Sequence, residues 1–193
     1  MIANCTLTIR TGRTLEHAAR ANRLGPRLAS AIFLWVLTFA APGQGESSNQ
    51  SRREAEYYVA AYAQHYRVPL EFVRAIVEQE SGWQKCVVSP KGAVGLMQLM
   101  PGTAARLKVQ DRCDLSQNVS VGVRYLAWLM NRFHGDLRLA AAAYYAGEGV
   151  IGRRGLRYSN ADVVSYVANV RERYEREKRL KHVDFERVHR SSK

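Results

Sequence analysis

The chain holds little that would staple or break a small protein. Its 193 residues include three cysteines and five prolines. No Cys/His grouping has metal-ligand spacing, which argues against a zinc site, and nothing in the sequence calls for a cofactor. No internal repeat is present, which argues against a stacked-repeat architecture. Acids are scarce: 17 against 29 Lys and Arg, a net charge of +12. The excess belongs largely to the ends. Residues 1–43 carry five Arg and one Glu, residues 171–193 nine basic and five acidic side chains, and the middle only fifteen against eleven. A basic chain is drawn to polyanions, but no nucleic-acid motif accompanies the charge, so nucleic acid is not an expected partner.

Long apolar runs are also rare. The one that stands out, Leu28 to Ala41, is interrupted only by Ser30 and Thr38, follows Arg20, Arg23 and Arg27, and is broken by Pro42 and Gly43. It is short for a membrane span and suits the apolar region of a secretory signal, with Ala40, Ala41 and Gly43 at the cleavage site. Residues 1–43 are therefore expected to be a signal peptide, with a retained N-terminal anchor or a buried helix as the alternatives. The expected location is the periplasm, with membrane contact only through an uncleaved leader. Cys5 would leave with that leader. The remaining pair, Cys86 and Cys113, suits a disulfide in an oxidising compartment. The alternative is two unpaired thiols.

What is present is helical periodicity. Residues 44–52 are polar and Gly/Ser-rich, an expected linker. A first helix from Arg53 to Tyr66 carries Tyr57, Tyr58, Ala61 and Tyr62. Pro69 opens a second, with Phe72, Val73, Ile76 and Val77 as its buried face and Gly82 as its stop. Residues 82–95 are loop-like, with a small hairpin at most. Further helices are expected from Pro101 to Leu107, from Ser116 or Asn118 to Phe133, from Leu137 to Ala146 behind an Asp136 cap, and from Asn160 or Asp162 onward along Val163, Val164, Val167 and Val170. Glycines 147, 149, 152 and 155 break up the stretch between the last two. The expected fold class is mainly α, with α+β character at most through that hairpin: one compact helical domain over residues 53–175 with a basic tail over 176–193.

Glu80 stands out because it ends an apolar helix and precedes a glycine-rich loop containing Gln98. A carboxylic acid in apolar surroundings keeps its proton to higher pH, which suits it to protonate a glycosidic oxygen. Glu78, two residues earlier, points to the other side of the helix, so the two are not a carboxylate pair.

Residues 76–104, Ile-Val-Glu-Gln-Glu-Ser-Gly-Trp through Ser-Pro-Lys-Gly-Ala-Val-Gly-Leu-Met-Gln-Leu-Met-Pro-Gly-Thr-Ala, resemble the signature of the soluble-type lytic transglycosylases, the SLT domain family, relatives of goose-type lysozyme. Asn118-Val119 with Gly122-Val123-Arg124-Tyr125-Leu126, then Ala142 to Val150, then Tyr166-Val167 with Val170 extend the resemblance in order. It implies Glu80 as the catalytic acid that then acts as base, and Ser81 as its hydrogen-bonding support. Ser89 is implied as a polar cleft residue, Met97 and Gln98 as part of the loop lining the sugar cleft, and Tyr144 as the tyrosine facing Glu80. Gly95 supplies backbone geometry. Two positions depart from the family pattern: Tyr145 stands where Asn is usual, and Glu148 where Pro is usual. Tyr145 is expected to reshape the cleft, and Glu148 to add a carboxylate that tunes Glu80 or serves as a second acid.

The resemblance implies cleavage of the bond between N-acetylmuramic acid and N-acetylglucosamine in peptidoglycan. The substrate's acetamido group and 6-hydroxyl then complete the reaction, giving a 1,6-anhydro end without a metal or cofactor. The alternatives are hydrolysis of the same bond on the same fold, a non-catalytic wall-binding subunit, and a cationic membrane binder acting through residues 171–193. The mixed charges of that tail favour a solvated helix instead. The small size and export signal suggest a partner in a secretion or conjugation apparatus.

Overall fold

The computed structural model describes residues 44–191, all within one compact unit. The expected leader and Cys5 lie outside the described residues. Seven α-helices follow one another: α1 Gln44–Tyr66, α2 Leu70–Ser81, α3 Pro101–Arg106, α4 Leu115–Arg132, α5 Leu137–Ala146, α6 Glu148–Arg154 and α7 Ala161–Ser191. A single 3-10 turn, Gly155–Arg157, joins α6 to α7. No described helix is long and apolar enough to cross a membrane.

The segment expected as a linker is helical, because α1 begins at Gln44. Arg52 at its end and Glu54 just beyond it gain tertiary partners that composition does not announce. The Arg52 guanidinium lies 3.8 Å over the ring of Trp83 and bonds Glu56 one turn on, while Glu54 pairs with Lys85. The buried stripe of α1 is Ala55, Val59 and Ala63 rather than the expected one: Tyr57 and Ala61 face solvent. Tyr58, Tyr62 and Tyr66 stack along the flank at 6.2 Å spacings, and the last two hydroxyls bond Ser116 and Ser120 of α4.

α2 buries Phe72, Val73, Ala75, Ile76 and Val77, and Gly82 ends it in the left-handed conformation. α4 starts earlier than expected. Asp114 is its cap, accepting from the Gln117 amide at 2.8 Å, and this frees Asn118 for another task. Four consecutive alanines, Ala140 to Ala143, let α4, α6 and α7 close around α5, with Asp136 capping it as expected. The glycines after Ala146 do not abolish helix: Gly149 and Gly152 lie within α6, and the conformational breaks fall at Gly147 and Gly155, both with positive φ. α7, capped by Asn160, presents Val163, Tyr166, Val167 and Val170 to α2 and α5. Val164, expected on that face, is 48% exposed. The helix runs unbroken through the boundary expected at residue 175. Salt bridges Arg74–Glu177 and Lys181–Glu71 tie it to α2 beyond that point.

The hairpin expected after Glu80 is reduced to two isolated antiparallel bridges, Val88 with Val94 and Val94 with Leu99. The loop is instead pinned from outside. Cys86 is disulfide-bonded to Cys113. The neighbouring Arg112 donates to the carbonyls of Gly92 and Leu99 at 2.8 and 3.0 Å.

Candidate active site

Glu80 occupies the last turn of α2, where the buried side of that helix meets α7. Its Oε1 accepts a hydrogen bond of 2.5 Å from the hydroxyl of Tyr166, the sixth residue of the final helix. The two groups open onto a cleft of about 680 Å³. One wall is the loop, through Ser89, Lys91, Gln98 and Met100; the other is the end of α5 and the start of α7, through Tyr144, Tyr145 and Asp162.

Burial is the dominant influence on Glu80. It raises the carboxyl from 4.5 to about 7, against the opposing pull of the Tyr166 hydrogen bond. About half of the molecules then carry the acid form at neutral pH, the condition for a group that must give a proton and later take one. The phenols of Tyr166 and Tyr144 are pushed well above their usual range, first by burial and then by the Glu80 charge, so both remain protonated. Tyr166 is therefore a permanent donor toward Glu80.

The remaining residues singled out in the sequence divide into three groups. Ser89 and Gln98 line the cleft and shape it: the Ser89 hydroxyl accepts from the Ala93 amide at 3.0 Å, and the Gln98 side-chain amide donates to the carbonyls of Val87 and Gly95, both at 3.0 Å. Ser81 and Gly95 act on backbone. The buried Ser81 hydroxyl spans the helix end, donating to the Val77 carbonyl and accepting from the Trp83 amide, and so braces the chain just after Glu80. Gly95 has φ +89°, and a Cβ there would lie 2.2 Å from the Arg112 carbonyl oxygen. Met97 and Glu148 face elsewhere. The Met97 side chain is fully buried against Gly122, and only its backbone serves the site, its carbonyl accepting from Tyr144 at 2.8 Å. Glu148 pairs with Arg132 at 3.3 Å and does not line the cleft.

Tyr144 lies close enough for the Glu80 charge to act on its phenol, and the hydroxyl bonded to Glu80 is that of Tyr166. Tyr144 lines the same cleft but spends its hydroxyl on Met97, where it fixes the loop to α5. Tyr145 does reach the cleft, with its ring stacked 4.7 Å from that of Tyr166. The added acid in the cleft is Asp162, on the first turn of α7; it is exposed and contributes nothing to the Glu80 shift.

Sequence reasoning also missed Asn118. Completely buried, it accepts from the Met97 amide at 2.8 Å and donates to the carbonyls of Val94 and Arg112 at 3.0 and 2.8 Å. Three loop groups are thus satisfied by one side chain from α4. The signal for it was a polar residue among Val119, Val121 and Val123. The signal for Tyr166 was a phenol in a valine stripe, since a buried tyrosine hydroxyl generally needs a partner. Among the described residues, no group of three or more His, Cys, Asp or Glu is placed to hold a metal ion.

The chain is similar to known proteins in sequence and in fold. The soluble lytic murein transglycosylase of Escherichia coli (strain K12) is 32% identical over 120 residues, covering 56% of this chain and 19% of that protein. The membrane-bound lytic murein transglycosylase F of Pasteurella multocida (strain Pm70) is 38% identical over 81 residues, covering 39% and 16%. The chain therefore spans under a fifth of the length of these relatives. Among solved structures, the 70-kDa soluble lytic transglycosylase of Escherichia coli superimposes with a TM-score of 0.54 at 28% identity, over 65% of this chain and 24% of that one. A complex of the 70-kDa soluble lytic transglycosylase with bulgecin A gives 0.56 at 26%, over 72% and 26%. The family model described as the transglycosylase SLT domain matches residues 57–164, from α1 to the start of α7 and two residues short of Tyr166; the chain belongs to the transglycosylase SLT domain family.

Proposed function

We propose that the chain is a peptidoglycan lytic transglycosylase in which Glu80 alone supplies acid and base. The observation that carries the reading is a single buried carboxyl raised to about 7, bonded to a permanently protonated phenol at the floor of a cleft. In its neutral form Glu80 protonates the glycosidic oxygen between N-acetylmuramic acid and N-acetylglucosamine. The bond to the muramyl anomeric carbon breaks, and the substrate's own acetamido oxygen stabilises the positive centre. Glu80 is now a carboxylate, and Tyr166 donates to it while it lasts. The carboxylate then takes the proton of the muramyl 6-hydroxyl, whose oxygen closes onto the anomeric carbon. Glu80 returns to its acid form, and no water is consumed.

Ser89, Gln98, Tyr144 and Tyr145 shape the walls that hold the sugar, and Ser81, Gly95 and the Met97 backbone hold those walls in place. A two-carboxylate hydrolysis needs an acid that activates water across the sugar ring. Asp162 favours that second reading because it shares the cleft. Its exposure and its lack of influence on Glu80 make it the weaker reading.

The test is the lysis of purified peptidoglycan by the wild type and by Glu80→Gln. Glu80→Gln is expected to be inactive while keeping its helical circular dichroism; undiminished lysis would remove Glu80 from the mechanism. Action in the periplasm follows from the substrate. Assembly with a secretion or conjugation apparatus is a separate proposal resting on the export-like leader, and a pull-down from envelope extracts that brings down no such component would refute it.

A further inference from the structure

Outside the Glu80 cleft lies a second concavity of about 310 Å³, lined by Arg106 and Leu107 from the end of α3 and by Arg124, Tyr125 and Trp128 of α4. Its floor is aromatic. Tyr125 and Trp128 stand one helical turn apart with nearly parallel rings, centroids 5.8 Å and planes 13° from each other. Trp128 is 48% exposed, unusual for the largest apolar side chain on a helix that packs its other face into the core. Its rim is cationic. The Arg106 charge acts on the Tyr125 phenol, and both Arg106 and Arg124 are exposed; neither forms an ion pair among the described residues. The nearest carboxylate acting on Tyr125, that of Glu148, is held by Arg132.

Two elements connect the neighbourhood of this concavity to that of the cleft. The Tyr125 ring lies 5.8 Å from that of Tyr144, which lines the Glu80 cleft on its other side. α3 starts beside Met100 in the cleft wall and ends at Arg106 in the second concavity, six residues or about 9 Å later. A chain bound across Glu80 and extending past Tyr144 therefore meets an aromatic face flanked by guanidinium groups. An aromatic face suits the apolar C–H side of a pyranose ring, and a planar guanidinium suits a carboxylate.

We propose that the Arg106–Arg124–Tyr125–Trp128 surface is an outlying subsite that binds a carboxylate-bearing sugar of the same glycan strand. Trp128 takes the ring, and Arg106 and Arg124 take a carboxylate of the peptide that the sugar carries. The proposal rests on the reading of Glu80 as a peptidoglycan-cleaving acid. It adds that this chain grips long, peptide-bearing strands away from the bond it breaks.

The test uses the full chain carrying Glu80→Gln and measures its affinity for soluble glycan strands, with and without peptides, by fluorescence titration. Trp128→Ala is expected to weaken binding of both kinds of strand by about tenfold. Arg124→Gln and Arg106→Gln are expected to weaken only the peptide-bearing kind. Unchanged affinity in Trp128→Ala, or equal loss on both strands in the arginine variants, would overturn the proposal. Arg124 and Arg106 are exposed, so their variants remain informative if Trp128→Ala fails to fold. Cleavage by the wild type, followed in parallel, separates the two claims. Strands left uncut but bound with the expected losses would overturn the catalytic reading and leave the subsite standing.

Discussion

Replacing Tyr166 by Phe removes one oxygen, and the structure dictates a pH signature for its loss. The hydroxyl donates to Glu80 at 2.5 Å and is the one influence opposing the upward push of burial. Hydrogen bonds to charged groups contribute about 1.5–3 kcal/mol, and one pKa unit corresponds to about 1.4 kcal/mol. With water partly replacing the phenol, the acid form of Glu80 should persist about one unit further into the alkaline range. Activity that needs the acid form falls as pH rises through about 7 in the wild type. In Tyr166→Phe that falling limb should lie at higher pH. The plateau should drop at the same time, because the carboxylate formed after proton transfer has lost its donor. A loss of 1.5–3 kcal/mol at that stage is roughly ten- to a hundredfold in rate. The assay is turbidity loss of purified peptidoglycan across the pH range. A falling limb that stays in place or moves to lower pH would refute the assignment of Tyr166 as the donor to Glu80.

The same shift has a consequence for stability. A carboxyl raised from 4.5 to about 7 favours the folded state at low pH, and that contribution is lost as pH rises through about 7. Denaturant titration should therefore find Glu80→Gln more stable than the wild type at pH 8, by up to about 3 kcal/mol, and not at pH 4. Asn118→Ala leaves the Met97 amide and the Val94 and Arg112 carbonyls without their buried partner, and should lower stability by about 2–4 kcal/mol in the same measurement. Gly95→Ala should cost at least as much, because its Cβ has no room and its backbone favours glycine. Cys86→Ser with Cys113→Ser opens a loop closed across 27 positions and should cost about 3–4 kcal/mol on the chain-entropy model, read as a lower melting temperature.

The helical framework was legible because its signals are local. The stripe Phe72, Val73, Ile76 and Val77, the Gly82 stop and the Asp136 cap each act within a turn or two of sequence. Glu80 closing an apolar helix is an ordinary feature by itself, and the ordered motifs of the family resemblance are what single it out. What stayed hidden depends on contacts between distant parts of the chain. Glu80 and Tyr166 are 86 positions apart, and only the packing of α7 on α2 brings them together. Glu148 is close to Tyr144 in sequence, yet α6 turns its carboxylate toward Arg132. Asp162, distant in sequence, enters the cleft because α7 begins there. Residues 44–52 look like a linker by composition, but Arg52 finds Trp83 across the fold and the helix extends over them.

The central claim is that one carboxyl and the substrate's own hydroxyl suffice, with no water entering the product. Mass spectrometry of wild-type digests of purified peptidoglycan, made in water enriched in heavy oxygen, tests it directly. The expected ends are 1,6-anhydromuramyl residues that carry none of the heavy label. Reducing muramyl ends that carry one labelled oxygen each would contradict it and return the reaction to hydrolysis, with Asp162 as the acid to examine.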